Sequence, residues 1–140
     1  MQRRLPAEWE PQDGVLLAWP HEETDWCDNL ATVQEVFVAI ATAISRFEQV
    51  VIVAPEIEVV HQQLMDAGVD LQQIRLVAIP TNDTWAREFG PVTVLESGQP
   101  LILDFGFNAW GLKFAADLDN LITTRLAQAG GFGSTPVHTP

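Results

Sequence analysis

The chain has 140 residues, a length that suits one domain or part of one. Hydrophobic residues make up 47% and charged residues 19%, so the chain can build a core and is not a disordered segment. Its formal net charge of -12 argues against partners such as nucleic acid or an anionic membrane, and it is compatible with a cationic ligand. Acidity also keeps proteins soluble, so the charge alone does not decide between these explanations.

Cysteine and histidine are scarce. The single cysteine, Cys27, excludes an internal disulfide framework and a multi-cysteine metal site. The histidines, His21, His61 and His138, are far apart and form no ligand motif. Neither a secretory signal nor an apolar run of the roughly 20 residues needed to span a membrane is visible. We therefore expect a cytoplasmic protein.

Strand and helix patterns alternate along the first half. The apolar segment Val15–Trp19 predicts a strand that ends at Pro20. Apolar residues at three- and four-residue steps then predict a helix over Leu30–Phe47 with one buried face. Val50–Val53 predicts a strand covered on both faces, and Glu56–Ala67 predicts a second amphipathic helix. The face of the first helix expected to be buried comprises Leu30, Val33, Val36, Phe37, Ile40, Ala43, Ile44 and Phe47.

The second half continues the alternation. Ile74–Ile79 predicts a strand, and Pro91–Leu95 with Pro100–Asp104 predicts a hairpin. A third helix is predicted over Ala115–Ala129, and residues 131–140 have no periodicity and are expected to form an irregular tail. This order of elements is typical of an α/β architecture.

The residues best suited to ligand binding lie in the loop from Pro80 to Pro91, after a predicted strand. The carboxyl ends of strands in α/β proteins are common ligand sites. The carboxylates of Asp83 and Glu88 suit a planar guanidinium-like group, and the Trp85 ring can stack on such a cation. Alternatively, Arg87 pairs with one of these carboxylates and Trp85 fills the core, and residue types alone leave both interpretations open.

A second unusual loop runs from Asp104 to Lys113 and is rich in aromatic residues and glycine. Asp104 ends a predicted strand, as many ligand-binding carboxylates do, but it also suits a local turn. Near the N-terminus, His21 is a candidate acid or base and Cys27 a candidate nucleophile. For both, a structural role is the alternative.

Four sequence blocks together resemble the agmatine deiminase family, which includes the bacterial-type peptidylarginine deiminases. Their order and spacing match from Leu5 to about Leu126. The blocks are Leu5–Pro11, Leu17–His21 followed by Asp25-Trp26, Asn82–Pro91, and Asp104–Gly111.

The resemblance implies a pentein-type α/β propeller, in which five ββαβ-like units surround a central site. The chain would be the N-terminal part of one such domain and would supply about two of the five units. Such an incomplete propeller would expose apolar edges, so we expect self-association.

The resemblance also implies a reaction, the hydrolysis of agmatine to N-carbamoylputrescine and ammonia in putrescine biosynthesis, with no metal or organic cofactor. A cysteine thiolate attacks the guanidinium carbon and a histidine supplies acid-base chemistry. A fragment of a peptidyl-arginine deiminase and a non-catalytic guanidinium-binding module are the alternatives.

Matched residue by residue, Trp85 and Glu88 would bind the substrate, although the family has Asp where this chain has Glu88. The longer side chain moves the carboxylate by about 1 Å, a shift that can cost on the order of 100-fold in rate. The residues expected to support the site are Asp83, Arg87, Asp104, Asn108 and Trp110.

We predict that the 140-residue chain alone has no deiminase activity, because the resemblance places the nucleophilic cysteine and the catalytic histidine downstream of the matched region. Purified chain incubated with agmatine should release no ammonia above a protein-free blank. Ammonia release proportional to the concentration of the chain would contradict this.

Overall fold

The computed structural model describes residues 2–140, which divide into two compact units. The first comprises residues 13–86 and is called the parallel unit; the second, called the hairpin unit, combines the segment up to Gln12 with residues 87–140. The strands are β1 (Arg3–Arg4), β2 (Gly14–Ala18), β3 (Gln49–Ala54), β4 (Ile74–Ala78), β5 (Val92–Glu96), β6 (Gln99–Leu103) and β7 (Val137–His138). The helices are α1 (Leu30–Ile44), α2 (Ile57–Asp66), α3 (Ala86–Phe89), α4 (Ala109–Leu112) and α5 (Ile122–Gln128), with 3-10 turns at Cys27–Asn29, Leu71–Gln73 and Asp119–Leu121.

The parallel unit is built on a three-stranded parallel sheet in the order β2-β3-β4. Its register pairs Ala18 with Val53 and Ala54 with Ala78, so β2 and β4 end at the same edge. The central strand β3 is mostly buried, as its β-branched sequence predicts. Strands and helices alternate along the chain, which confirms the α/β class.

The helices α1 and α2 contribute to the core of the parallel unit. Val60 and Leu64 of α2 are buried, which confirms the predicted apolar face of this helix. Trp19, directly after β2, is also buried, and its indole N–H donates to Oε1 of Gln63 at 2.9 Å. The Trp19 ring meets Phe37 edge-on at 5.6 Å between centroids, so one large side chain connects the sheet to both helices.

The first helix is shorter than its periodicity predicts, and its predicted buried face is wrong in part. It ends at Ile44, where the Phe47 N–H bonds the Ile44 carbonyl in a tighter turn, and Phe47 is 88% exposed. Val36 and Ile40 are exposed as well. The hydroxyl of Thr42 near the helix end donates to a backbone carbonyl, and such bonds compete with regular helix geometry.

Within residues 2–140, one helical stretch, Cys27–Ile44, is long and apolar enough to cross a membrane by length and composition. It carries Asp28 and Glu35, and Phe37 and Ile44 pack against the core of the parallel unit. A core helix passes the same test, so this stretch is weak support for a membrane span. Cytoplasmic location stays a prediction.

The hairpin unit contains a four-stranded sheet in the order β1-β5-β6-β7. The turn between β5 and β6 is formed by Ser97 and Gly98, both with positive φ, which confirms the predicted hairpin. Ile102 of β6 pairs in parallel with Val137 of β7. Residues 131–140, expected to be irregular, therefore contain a short strand, β7, which pairs with the inner strand β6.

The Leu5–Pro11 block is ordered by an ion pair within the hairpin unit. Arg4 donates to both carboxylate oxygens of Glu10, at 2.6 and 2.8 Å, and the Ala7 N–H donates to the same carboxylate at 2.8 Å. These bonds, those from Arg4 above all, lower the pKa of Glu10 to about 2. The block therefore has a structural role that its residue types explain.

The third predicted helix is correct only in its second half. Residues 115–118 lie outside any helix, a 3-10 turn follows over Asp119–Leu121, and α5 occupies Ile122–Gln128. The Asn120 side chain bonds the backbone of Phe107 instead of facing solvent on a regular helix. Asn and Asp compete with helical hydrogen bonds in this way, and here the tertiary bond wins.

We expect Leu64→Ala to lower the free energy of unfolding by about 2–5 kcal/mol, because it leaves a cavity in a fully buried position. Met65→Ala is the matched control, since Met65 is 52% exposed in the same helix and should cost at most about 0.5 kcal/mol. Urea unfolding curves measure both. Equal losses would contradict the assignment of the core.

Candidate functional site

The two loops that leave the carboxyl edge of the parallel sheet form the first candidate site. One follows β2 and includes His21, Asp25 and Trp26; the other follows β4 and includes Thr81 to Trp85. Because β2 and β4 flank β3 in parallel, both loops begin at the same edge. This is where α/β sheets commonly bind ligands.

Hydrogen bonds between residues 58 to 60 positions apart connect these loops. The Asp25 N–H donates to Oδ1 of Asp83 at 3.3 Å, and the Trp26 indole N–H donates to Oγ1 of Thr84 at 2.9 Å. The Trp85 indole N–H donates to Oδ2 of Asp25 at 3.3 Å. We call these five residues, Asp25, Trp26, Asp83, Thr84 and Trp85, the acid–tryptophan cluster.

Trp85 does not fill the core. Its side chain is 37% exposed, and its ring lies 5.8 Å from that of Trp26 with 40° between the planes. The alternative in which Trp85 is a core residue is therefore wrong. An exposed indole with carboxylates nearby can present its face to a cation.

The Asp83 side chain is partly buried. Burial raises the pKa of Asp83 above its ordinary value, and the nearby charge of Asp25 acts in the same direction. The backbone N–H groups of Thr84, at 2.8 Å, and of Asp25 oppose the shift by bonding the charged form, and a bond from the Trp85 side chain acts in the same sense. With its Oδ1 accepting these two backbone bonds, Asp83 has the geometry of a loop brace.

His21 contacts the second loop through its ring. Its Nδ1 accepts the Glu23 N–H at 3.3 Å, so Nε2 carries the proton and donates to Oγ1 of Thr81 at 2.9 Å. Thr81 is only 2% exposed. Both ring nitrogens are thus engaged within the protein, which favours the structural role of His21 over acid-base catalysis.

We call the blocks Asn82–Pro91 and Asp104–Gly111 the first and second motifs. The end of the first motif belongs to the hairpin unit, because the boundary between the units falls between Ala86 and Arg87. Arg87 and Glu88 are exposed in α3, whereas Phe89 is buried and its ring lies 6.3 Å from that of Phe107. Phe89 therefore anchors the end of the motif. The substrate-binding role of Glu88 and the supporting role of Arg87 stay predictions.

Asp104, at the end of β6, is 8% exposed. Its Oδ2 accepts the hydroxyl proton of Thr124 at 2.9 Å, and its backbone N–H donates to the carbonyl of His138 at 2.9 Å. Asp104 thus connects the start of the second motif to α5 and to β7. His138, expected to lie in the tail, takes part through its backbone while its side chain is exposed.

The short element α4, at the end of the second motif, is a single left-handed turn. Ala109, Trp110, Gly111 and Leu112 all have positive φ, between 50° and 85°. Each non-glycine residue in this region costs roughly 1–2 kcal/mol, so surrounding contacts must hold the turn. Asn108 contributes one of them, because its Oδ1 accepts the Gly111 N–H at 3.0 Å.

Aromatic rings and one amide support this turn. The Trp110 ring meets Phe107 and Phe114 edge-on, at 5.0 and 5.9 Å between centroids. The Asn120 amide accepts the Phe107 N–H at 2.6 Å and donates to the Phe107 carbonyl at 2.7 Å. One side chain thereby pairs with both backbone polar groups of Phe107, as a neighbouring strand would.

Cys27 lies in the 3-10 turn before α1 and is exposed. Its Sγ donates to Oδ1 of Asp28 at 3.9 Å, so the contact that the structure gives it is a carboxylate and not an imidazole base. This does not favour Cys27 as a nucleophile. Within residues 2–140, no group of three or more His, Cys, Asp or Glu side chains is arranged to hold a metal ion.

A comparison of the sequence with known families gives a match over residues 4–138 to the Porphyromonas-type peptidyl-arginine deiminases. The chain belongs to this family. The agmatine deiminase of Stutzerimonas stutzeri is 37% identical over 110 residues, which is 78% of this chain and 29% of that protein.

Solved structures of the deiminases agree. A substrate-bound variant of the C. jejuni agmatine deiminase superposes with a TM-score of 0.83 at 29% identity, over 98% of this chain and 40% of that one. The agmatine deiminase of Enterococcus faecalis gives 0.81 at 29% identity, over 99% of this chain and 38% of that one. The chain thus spans well under half the length of the deiminases it matches.

The sequence analysis did not predict a role for three residues that hold these loops together, Asp25, Trp26 and Asn120. Asp25 and Trp26 carried a signal, since they belong to a motif block, but nothing local indicated that they bond residues 83 to 85. Asn120 carried none, because its partner lies 13 residues away on an irregular segment.

We expect Asn120→Ala to lower the free energy of unfolding by about 2 kcal/mol or more, because two backbone groups of Phe107 lose their partner. Asn108→Ala, which removes one bond in an exposed part of the same turn, should cost less. Chemical unfolding measures both variants, and near-UV circular dichroism reports on Trp110. A loss below about 0.5 kcal/mol for Asn120→Ala would show that the turn is held by other contacts.

Proposed function

We propose that this chain is part of a guanidino hydrolase that converts agmatine and water to N-carbamoylputrescine and ammonia. The observation that carries the proposal is the acid–tryptophan cluster, in which the partly exposed ring of Trp85 stands beside the carboxylates of Asp25 and Asp83. Membership of the deiminase family supports the same chemistry. The formal net charge of -12 would favour the approach of a cationic substrate.

Trp85 would hold the guanidinium by presenting its ring face to the delocalised cation. Glu88 keeps the role that the sequence motif gives it, acceptance of N–H bonds from the guanidinium. In the proposed reaction a thiolate adds to the guanidinium carbon, ammonia leaves, and water then hydrolyses the covalent adduct. We assign none of these covalent steps to Cys27 or to His21, whose contacts are described above.

Peptidyl-arginine is the second candidate substrate, and the family match favours it because the family is described by that activity. Both substrates carry the same guanidinium group and differ in what is attached to it. The proposed contacts of Trp85 concern only the shared group. Neither nucleic acid nor membrane is proposed as a partner, and self-association of the chain remains part of the proposal.

The test is calorimetric titration of the 140-residue chain with agmatine and, separately, with an arginine-containing peptide. We expect Trp85→Ala to weaken binding about five- to tenfold, the range of a cation–π contact. Glu88→Gln should weaken it by about tenfold or more, because a hydrogen bond to a charged group is lost.

Trp9→Ala is the matched control, since Trp9 is 88% exposed and has no part in the cluster. It should leave the affinity unchanged. Binding that Trp85→Ala does not weaken would contradict the proposed role of the cluster. Binding of the peptide but not of agmatine would select the second substrate.

A further inference from the structure

We propose that Asp25 is a positioning residue, which fixes the Trp85 indole for cation binding. Its carboxylate accepts the Trp85 N–H, and its backbone N–H donates to the Asp83 carboxylate. The inference rests on the proposed function only for its ligand-binding part. The contact between Asp25 and Trp85 can be tested without any ligand.

The first argument is that Asp25 contacts the binding loop twice, through two different groups. The Asp83 oxygen that accepts the Asp25 N–H also accepts the Thr84 N–H at 2.8 Å. Asp25 is therefore placed by the same carboxylate that shapes the backbone just before Trp85. Its side-chain Oδ2 accepts the Trp85 indole N–H at 3.3 Å.

The second argument is the exposure of Trp85. A side chain that is 37% exposed lacks the close packing on all sides that fixes a core tryptophan. Its contact with the Trp26 ring covers one part of it, and the Trp26 indole is itself fixed by Thr84. The Trp85 indole N–H bonds the side chains of both Asp25 and Asp83. The bond to Asp25 contributes to a directional constraint that a ring contact alone does not supply.

The third argument is electronic. A carboxylate that accepts an indole N–H makes a charge-assisted bond and polarises the indole. The ring face becomes more negative, so a cation bound there is attracted more strongly. Asp25 can thus act on the ligand through Trp85 without touching it.

The ligand-free test records the indole N–H signals of the five tryptophans in ¹H–¹⁵N spectra of the full chain. Trp85→Phe identifies the Trp85 signal by its loss. Asp25→Ala should shift this signal and speed its exchange with solvent, while Asp25→Asn, which keeps an acceptor oxygen, should shift it less. The signal of Trp19, which bonds Gln63, should not move and shows that each variant is folded.

Glu22→Ala is the matched control, because it removes an exposed carboxylate three residues away in the same loop. It should leave the Trp85 signal in place. A Trp85 signal that is unchanged in Asp25→Ala, or equally changed in Glu22→Ala, would overturn the proposal.

The ligand-binding test is a double-mutant cycle read out as the Kd for agmatine. Asp25→Ala should raise the Kd about three- to tenfold in the native background and should have no further effect in Trp85→Phe. Equal effects in both backgrounds would mean that Asp25 contacts agmatine directly, and would overturn the positioning role. If the native chain binds no agmatine, the proposed function fails for this chain, while the indole spectra still decide whether Asp25 fixes Trp85.

Discussion

The parallel register of β2, β3 and β4 is the constraint on which the candidate site depends. It brings residues near position 20 and residues near position 80 to one edge of a sheet, although about 60 residues separate them in sequence. Only this placement allows Asp25 to bond Asp83 and Trp85, and Trp26 to bond Thr84. The buried strand β3 pairs with both β2 and β4 and so fixes the positions at which the two loops begin. The contacts between the loops thus depend on the order of the strands as well as on the individual side chains.

The two deiminase motifs are ordered by different means. In the parallel unit, hydrogen bonds between two loops hold the motif in place, and their donors are a backbone amide and two indoles. In the hairpin unit, an amide side chain satisfies one residue's backbone and aromatic rings surround an unfavourable turn. The first arrangement leaves Trp85 partly exposed, whereas the second stabilises a local backbone conformation.

Local periodicity predicted the elements whose burial is decided within a few residues. The helix α2 and the strand β3 are of this kind, since the apolar residues around Leu64 and Val50 in the sequence are enough to predict that both are buried. Periodicity misplaced Val36, Ile40 and Phe47, because the burial of a helix face depends on what packs against it. Motif blocks identified the family and most candidate residues. They could not show that Asp25 bonds Trp85 or that Asn120 bonds the backbone of Phe107, because those bonds join distant positions.

The left-handed turn at residues 109–112 has a consequence for the order of folding. Its intrinsic conformational preference opposes it, so it gains nothing from forming before its partners are in place. We expect the turn to form only after Phe107 and Asn120, which are bonded across an irregular segment in the folded chain, have come together. Its contacts would then be absent from the folding transition state, and their loss would accelerate unfolding while leaving the folding rate nearly unchanged. On this expectation, the contacts of the second motif would affect how fast the chain unfolds more than how fast it folds.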